Sequence, residues 1–245
     1  MPAVSGRVQR QEEGIVKPLL RDVAPRISRD RSQFGEGSII SEILRRIGIT
    51  GGRACEFGAG DGEHLSNTAH LRDAGWAVDM IEADPDKAAE GVYIGVVDPI
   101  TVNAWVDLTC SVVSIDVDGE DYAILCAMGA RPAVLCIEHH PMIPAHVSLL
   151  GGADVGCSAL ALKEWADEND YLVVAMTHCN TIMVKAGYAS AFDDVDIDFL
   201  HMFDPSGVTW VLSNVKTGDF GIHGPWPFGR AVELPWAMVD GLARG

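Results

Sequence analysis

The sequence predicts an α/β protein with a mostly parallel seven-stranded sheet, an antiparallel last strand and helices on both faces. Three observations carry that prediction. From residue 53 onward, short apolar runs alternate with segments of helical periodicity, as βαβ units do. The first run passes into a glycine-rich turn, Gly58-Ala59-Gly60-Asp61-Gly62, where a strand should hand over to a helix. Two late runs, 171–176 and 181–185, lie too close together for a parallel crossover and must form an antiparallel pair.

Taken in order, residues 1–31 have weak periodicity and mixed charge, and are expected as an arm or an irregular cap on a single domain over 32–245. The first convincing helix follows Gly37. Ser38 is its expected cap, Ile39, Ile40, Ile43, Leu44 and Ile47 recur at helical spacing, and Gly48 stops it. Strands are expected over 53–57, 77–82, 92–97, 111–116 and 133–138, with helices over 63–74 and 122–128 between them. Gly75 ends the helix at 63–74. Ser158 caps a further helix that Asn169 terminates, and the hairpin turns at His178-Cys179-Asn180. The part from 189 to 245 reads as irregular. It has a strand-like stretch at 208–212 and a proline-rich loop, Gly224-Pro225-Trp226-Pro227-Phe228-Gly229, that could act as a substrate lid.

Composition narrows the function. Apolar residues make up 48% of the 245, which suits a globular core, and the net charge is -17. That acidity argues against broad binding to nucleic acid or an anionic membrane. No run approaches the ~18 apolar residues of a membrane helix, and the N-terminus lacks the apolar middle of a secretory signal. The six cysteines show no C-x-x-C pair and read as buried free thiols of a reducing compartment. A cytoplasmic protein acting on a small-molecule or glycan partner is expected, with homo-oligomerisation left open.

The glycine turn carries the cofactor question. A dinucleotide site wants G-x-G-x-x-G, but position 63 is Glu, so that spacing fails. Glu56-x-Gly58-x-Gly60-x-Gly62 resembles instead motif I of class I S-adenosylmethionine-dependent methyltransferases, whose fold is Rossmann-like. The resemblance implies that Gly58, Gly60 and Gly62 wrap the methionine part of S-adenosylmethionine and that Glu56 contacts it. Glu82, at the end of the second strand, suits the ribose hydroxyls, with Asp84 as the fallback. The plainer reading is a turn that merely joins two elements.

A second constellation is Asp116-Val117-Asp118-Gly119-Glu120-Asp121-Tyr122. Alternation along an extended segment would point Asp116 and Asp118 to opposite faces. Ligands of open parallel sheets lie beyond the carboxyl ends of the strands, where Asp116, Asp118, Glu138, His139 and His140 all fall. Three readings stay open. Asp116, Glu138 and His139 could hold Mg²⁺ or Mn²⁺, resembling catechol-type O-methyltransferases. A metal-free site could use His139, His140 or His178 as general base. Asp118 and Glu120 could simply cap the next helix. Asp116, His139 and His140 are the expected catalytic residues, and Asp116 is also expected to border the cofactor.

Asp116-Val117-Asp118-Gly119-Glu120-Asp121 also resembles the D-x-E-G-x-E signature of FkbM-type methyltransferases. The likeness continues in Ser32-Gln33-Phe34-Gly35-Glu36, His64-Leu65-Ser66-Asn67-Thr68, Gly75-Trp76, Ile81-Glu82-Ala83-Asp84, 138–144, Ser158-Ala159-Leu160 and Asn180, across roughly residues 30–188. It implies O-methylation of a hydroxyl on a sugar or natural product. The chain departs from the pattern at Asp118, which replaces a Glu, and in a short stretch from 84 to 111 that leaves the adenine pocket unassigned. Ser66 and Asn67 are expected either to meet cofactor or substrate or to start a helix. Two other functions compete: a non-catalytic binding protein of the same fold, and a metal-dependent hydrolase or lyase using Asp116, Glu138 and the histidines.

Overall fold

A computed structural model describes residues 16–151, 156–208, 210–213, 216 and 220–223. The chain runs α1 (Leu20–Val23), α2 (Glu36–Ile47), β1 (Arg53–Phe57), α3 (Ala69–Asp73), β2 (Ala77–Glu82), β3 (Tyr93–Ile94), α4 (Val102–Trp105), β4 (Val112–Ile115), α5 (Asp121–Ala127) and β5 (Val134–Glu138). Then come α6 (Ala159–Glu168), β6 (Tyr171–Met176), β7 (Asn180–Lys185), a 3₁₀ segment (Ala186–Phe192), α7 (Phe199–Met202), β8 (Trp210–Ser213) and β9 (Phe220–His223).

Seven strands form one sheet in the order β3-β2-β1-β4-β5-β7-β6. β3, β2, β1, β4 and β5 pair in parallel, and β7 is antiparallel to both its neighbours, so β6 points the same way as the other five. The expected α/β architecture is therefore present, including the antiparallel last strand. β8 and β9 form a separate hairpin.

The sheet is buried on both faces because its strands alternate between two apolar layers. Cys55, Phe57, Val113, Ile115, Leu135 and Ile137 pack toward α4, α5 and α6. Ala54, Val112, Val134, Cys136, Ile182 and Val184 pack toward α1, α2 and α3. On α2, Ile39, Ile40, Ile43 and Leu44 are buried, each contributing about 1.5–3 kcal/mol of hydrophobic stabilisation. Gly48, at φ 75, ends that helix as expected.

The N-terminal segment docks rather than dangles over its described part. Leu20 is buried, Leu19 bridges Asp196, and the Arg21 guanidinium donates to the carbonyls of Met176 and Met202. Cys126 is exposed, and the other five cysteines are buried and free. Among the described residues, no helix is long and apolar enough to cross a membrane.

The departures from the expected elements have local causes. α2 begins at Glu36, with Gly35 at its N-cap, and Ser38 lies inside it, its amide and hydroxyl bound to Asp30. The helix expected over 63–74 shrinks to Ala69–Asp73 because Leu65 adopts φ 61 and the Glu56 carboxylate claims the amides of Asn67 and Thr68. The third strand keeps only Tyr93 and Ile94, both exposed at the sheet edge. The expected loop from Gly224 to Gly229 lies outside the described residues.

Ser158 caps α6 through Ala161 N–H and also accepts Leu149 N–H. Replacing it with alanine removes a cap worth ~1 kcal/mol. The expected outcome of Ser158→Ala is a melting temperature lower by about 2–4 °C, read by thermal unfolding.

Candidate active site

The register of the sheet lines up one row of residues. Phe57 pairs with Ile81 on one side and Ile115 on the other, and Ile115 pairs with Ile137. The next residue of each strand is Gly58, Glu82, Asp116 or Glu138. β7 arrives from the opposite direction, so its first residue, Asn180, pairs with Glu138. All five line a cavity of about 900 Å³. It lies beyond the carboxyl ends of the parallel strands, where such sheets bind ligands.

The glycine turn forms the floor at one end. Gly58 and Ala59 donate their amides to Ile81 O at 3.0 and 3.1 Å. A Cβ on Gly58 would stand 1.6 Å from the Asp116 carbonyl oxygen, so no other residue fits there. Gly60, at φ 54, has no atom within 4 Å of where its Cβ would be. Its open side is where a ligand can meet bare backbone. Glu82 holds the turn in place: Oε2 accepts Gly60 N–H at 2.9 Å and Oε1 accepts Asp84 N–H at 2.8 Å. Asp61, His64 and Leu65 continue the wall, and Val96, Val97 and Val117 give it an apolar stretch.

Two of the expected cofactor residues sit elsewhere. Glu56 is 3% exposed and does not line the cavity. Its Oε2 accepts the hydroxyls of Ser66 at 2.7 Å and Thr68 at 2.6 Å, and its Oε1 accepts Asn67 N–H at 2.7 Å. Burial pushes its carboxyl up, against the pull of those hydrogen bonds. Glu56 thus folds the segment 66–68 under the turn. Gly62 faces Met80, Val92 and Arg72 rather than the cavity. Of the two residues expected to meet ligand or start a helix, Asn67 lines the cavity and donates to Ser114 Oγ, while Ser66 Oγ accepts Ala69 N–H at the start of α3.

At the other end lie the acids. Asp116, Asp118 and Glu138 bring carboxylate oxygens within 4.8 Å of one another. Asp116 and Asp118 share this side because β4 ends at Ile115 and Asp118 turns to φ 58, so strand alternation no longer applies. Asp121 shapes that turn, its two carboxylate oxygens accepting Val117 N–H and Gly119 N–H. Neither Asp118 nor Glu120 caps α5 through its side chain. Burial, then the charges of Asp121 and Asp118, push Asp116 above the usual carboxylate range. Burial and the Asp116 charge push Glu138 up to about 9.

The histidine expectations do not hold in this geometry. His139 follows Glu138 on β5 and therefore faces the opposite side of the sheet. It is 2% exposed, its Nδ1 meets Thr181 Oγ1 at 3.1 Å, and burial depresses it to about 3. His140 Nδ1 accepts Met142 N–H. Neither lines the cavity, and His139 is not part of the acidic group, where Asp118 takes its place. His178 pairs with Asp204 at 3.1 Å. Sequence reasoning put Asp118 at the ligand end of the strands but on the face away from Asp116, and so left it out of the ion's expected ligands; it missed Gln33, Lys87 and Asn180 as cavity residues.

No protein-family model matches the chain, and no curated protein does. Among solved structures, one described as "Conversion of a Disulfide Bond into a Thioacetal Group during Echinomycin Biosynthesis" is similar over 60% of this chain and 81% of that one, at 14% identity and a TM-score of 0.35. A likeness of that size says nothing about substrate or reaction.

The raised Glu138 carboxyl sets a pH dependence. The folded chain keeps its proton up to about 9, whereas the unfolded chain releases it near 4.5. Between those values the fold binds the extra proton, so this contribution to stability falls as pH rises. Glu138→Gln removes the penalty. In metal-free buffer its melting temperature should exceed that of the wild type by a margin that widens from pH 5 to pH 9. A margin that narrows contradicts the assignment.

Proposed function

We propose that this chain is an S-adenosylmethionine-dependent O-methyltransferase acting on a hydroxyl of a small molecule such as a sugar or natural product, in an FkbM-like branch of the class I enzymes. The observation that carries the reading is the cavity of about 900 Å³ beyond the strand ends. It has a bare glycine turn with an acidic anchor at one end and a carboxylate cluster at the other.

The residues present suit the cofactor. The open space above Gly60 admits a ligand against backbone, and Glu82 keeps acceptor capacity toward a diol at the cavity wall. The apolar stretch of Val96, Val97 and Val117 suits a flat ring. S-adenosylmethionine would supply an electrophilic methyl group. The protein's own task is to align an acceptor oxygen and dispose of its proton. With His139 and His140 off the cavity, that task falls to Asp116, Asp118 and Glu138. A carboxyl held near neutrality by burial is suited to proton transfer.

Isothermal titration with S-adenosylhomocysteine tests the cofactor assignment. One site per chain is expected. Gly60→Arg should weaken binding by at least ~100-fold, by filling the open space, while its melting point stays within a few degrees because αL costs a non-glycine residue only ~1–2 kcal/mol. No heat at millimolar ligand sinks the assignment. Mass spectrometry of hydroxylated sugars and polyketide-like compounds incubated with S-adenosylmethionine should then show a methyl ether. Turnover with a divalent cation but no S-adenosylmethionine would indicate a hydrolase or lyase instead.

A further inference from the structure

The acidic group has a neighbour whose state is unusual. Asn180 is 2% exposed and lines the cavity at the strand position opposite Glu138. Its Nδ2 donates to Glu36 Oε1 at 3.2 Å and to Cys179 Sγ at 3.4 Å. Its Oδ1 is buried without any hydrogen-bond donor among the described residues. Buried amide oxygens are rarely left so.

The amide cannot be turned round. With oxygen and nitrogen exchanged, Oδ1 would face the Glu36 carboxylate, acceptor against acceptor. Glu36 is itself fully buried and held by Phe34 N–H at 2.8 Å and Thr177 Oγ1 at 2.6 Å. Asn180 pairs with Glu138, so the two side chains share a face of the sheet, and Glu36 fixes the amide so that its oxygen, not its nitrogen, is the end left without a partner there.

We infer that Asp116, Asp118, Glu138 and Asn180 Oδ1 form a binding site for a hard divalent cation of the Mg²⁺ or Mn²⁺ class, with Glu36 as the positioning residue for Asn180. The donor set is all oxygen. Neither thiol nor imidazole reaches it, since His139 lies on the other face and Cys179 Sγ contacts Gln33. Carboxylate and carbonyl donors suit Mg²⁺ and Mn²⁺ and disfavour softer ions. Four protein oxygens in an open cavity leave room for water or substrate oxygens to complete six-fold coordination. The site stands on the cavity geometry and does not depend on methyl transfer.

The test is titration of the full chain, freed of metal with EDTA, by Mn²⁺, with unbound Mn²⁺ read by electron paramagnetic resonance. One Mn²⁺ per chain is expected, displaced competitively by Mg²⁺. Asn180→Ala and Asp118→Asn should each weaken binding by ~10-fold or more. Asp118 is exposed, so its variant keeps the measurement open if a buried one fails to fold. Glu36→Ala should weaken Mn²⁺ comparably, and the double variant with Asn180→Ala should bind no more weakly than Asn180→Ala alone, as for a residue acting only through the amide. Absence of bound Mn²⁺ at millimolar concentration, or wild-type affinity in Asn180→Ala, overturns the site. Mn²⁺ binding without any heat from S-adenosylhomocysteine keeps the cation site and removes the methyltransferase reading. The reverse removes the cation site alone.

Discussion

The contact between Gly58 and the backbone of Asp116 is the constraint on which the site depends. The chain leaving β1 must pass so close to the end of β4 that a Cβ would stand 1.6 Å from a carbonyl oxygen. That approach joins two walls of the cavity that come from separate βαβ units. Once Gly58 is seated, Ile81 O receives two amides of the turn, Glu82 receives a third, and Glu56 gathers Ser66, Asn67 and Thr68 beneath it. The turn is therefore rigid before any ligand arrives, and little ordering remains to be done on binding.

The opposite wall has the reverse character. Asp116, Asp118 and Glu138 crowd negative charge where burial makes it unfavourable. Asp121 adds to that field while holding the loop together through two backbone amides. A fold selected for stability alone would place neutral side chains there. Strained electrostatics at one end of a well-formed cavity, beside tightly satisfied hydrogen bonds at the other, is the division expected of a working site.

Much of this was readable from the residues, and the rest was not for identifiable reasons. β1 and β2 fall at the expected positions because apolar runs bounded by glycine leave little choice. Glu82 was legible as the acid ending the second strand. The pairing of Glu138 with His139 as joint ligands failed on strand alternation, which sends neighbours to opposite faces. The same rule misled at Asp118, since the strand had already ended and the backbone turned to φ 58. The helix start at 63 was hidden by Glu56, whose carboxylate competes for its amides from ten residues away or more. Asn180 could be placed opposite Glu138 only by the register of β5 against β7, which the local pattern does not encode.

The reversed direction of β7 has an effect on how the molecule can vary. Six strands bring their last residues toward the rim, and all but β6 then depart into connections that can lengthen without disturbing the sheet. β7 instead brings its first residue, so the short link from Met176 to Asn180 is a fixed corner of the cavity, closed by the Thr177–Asn180 backbone pair and pinned to Glu36. Descendants of this chain could acquire new ligand preferences by growing the loops after β1, β2, β4 or β5. Insertion at 177–179 would shift the corner itself, which makes that turn the least evolvable edge of the pocket.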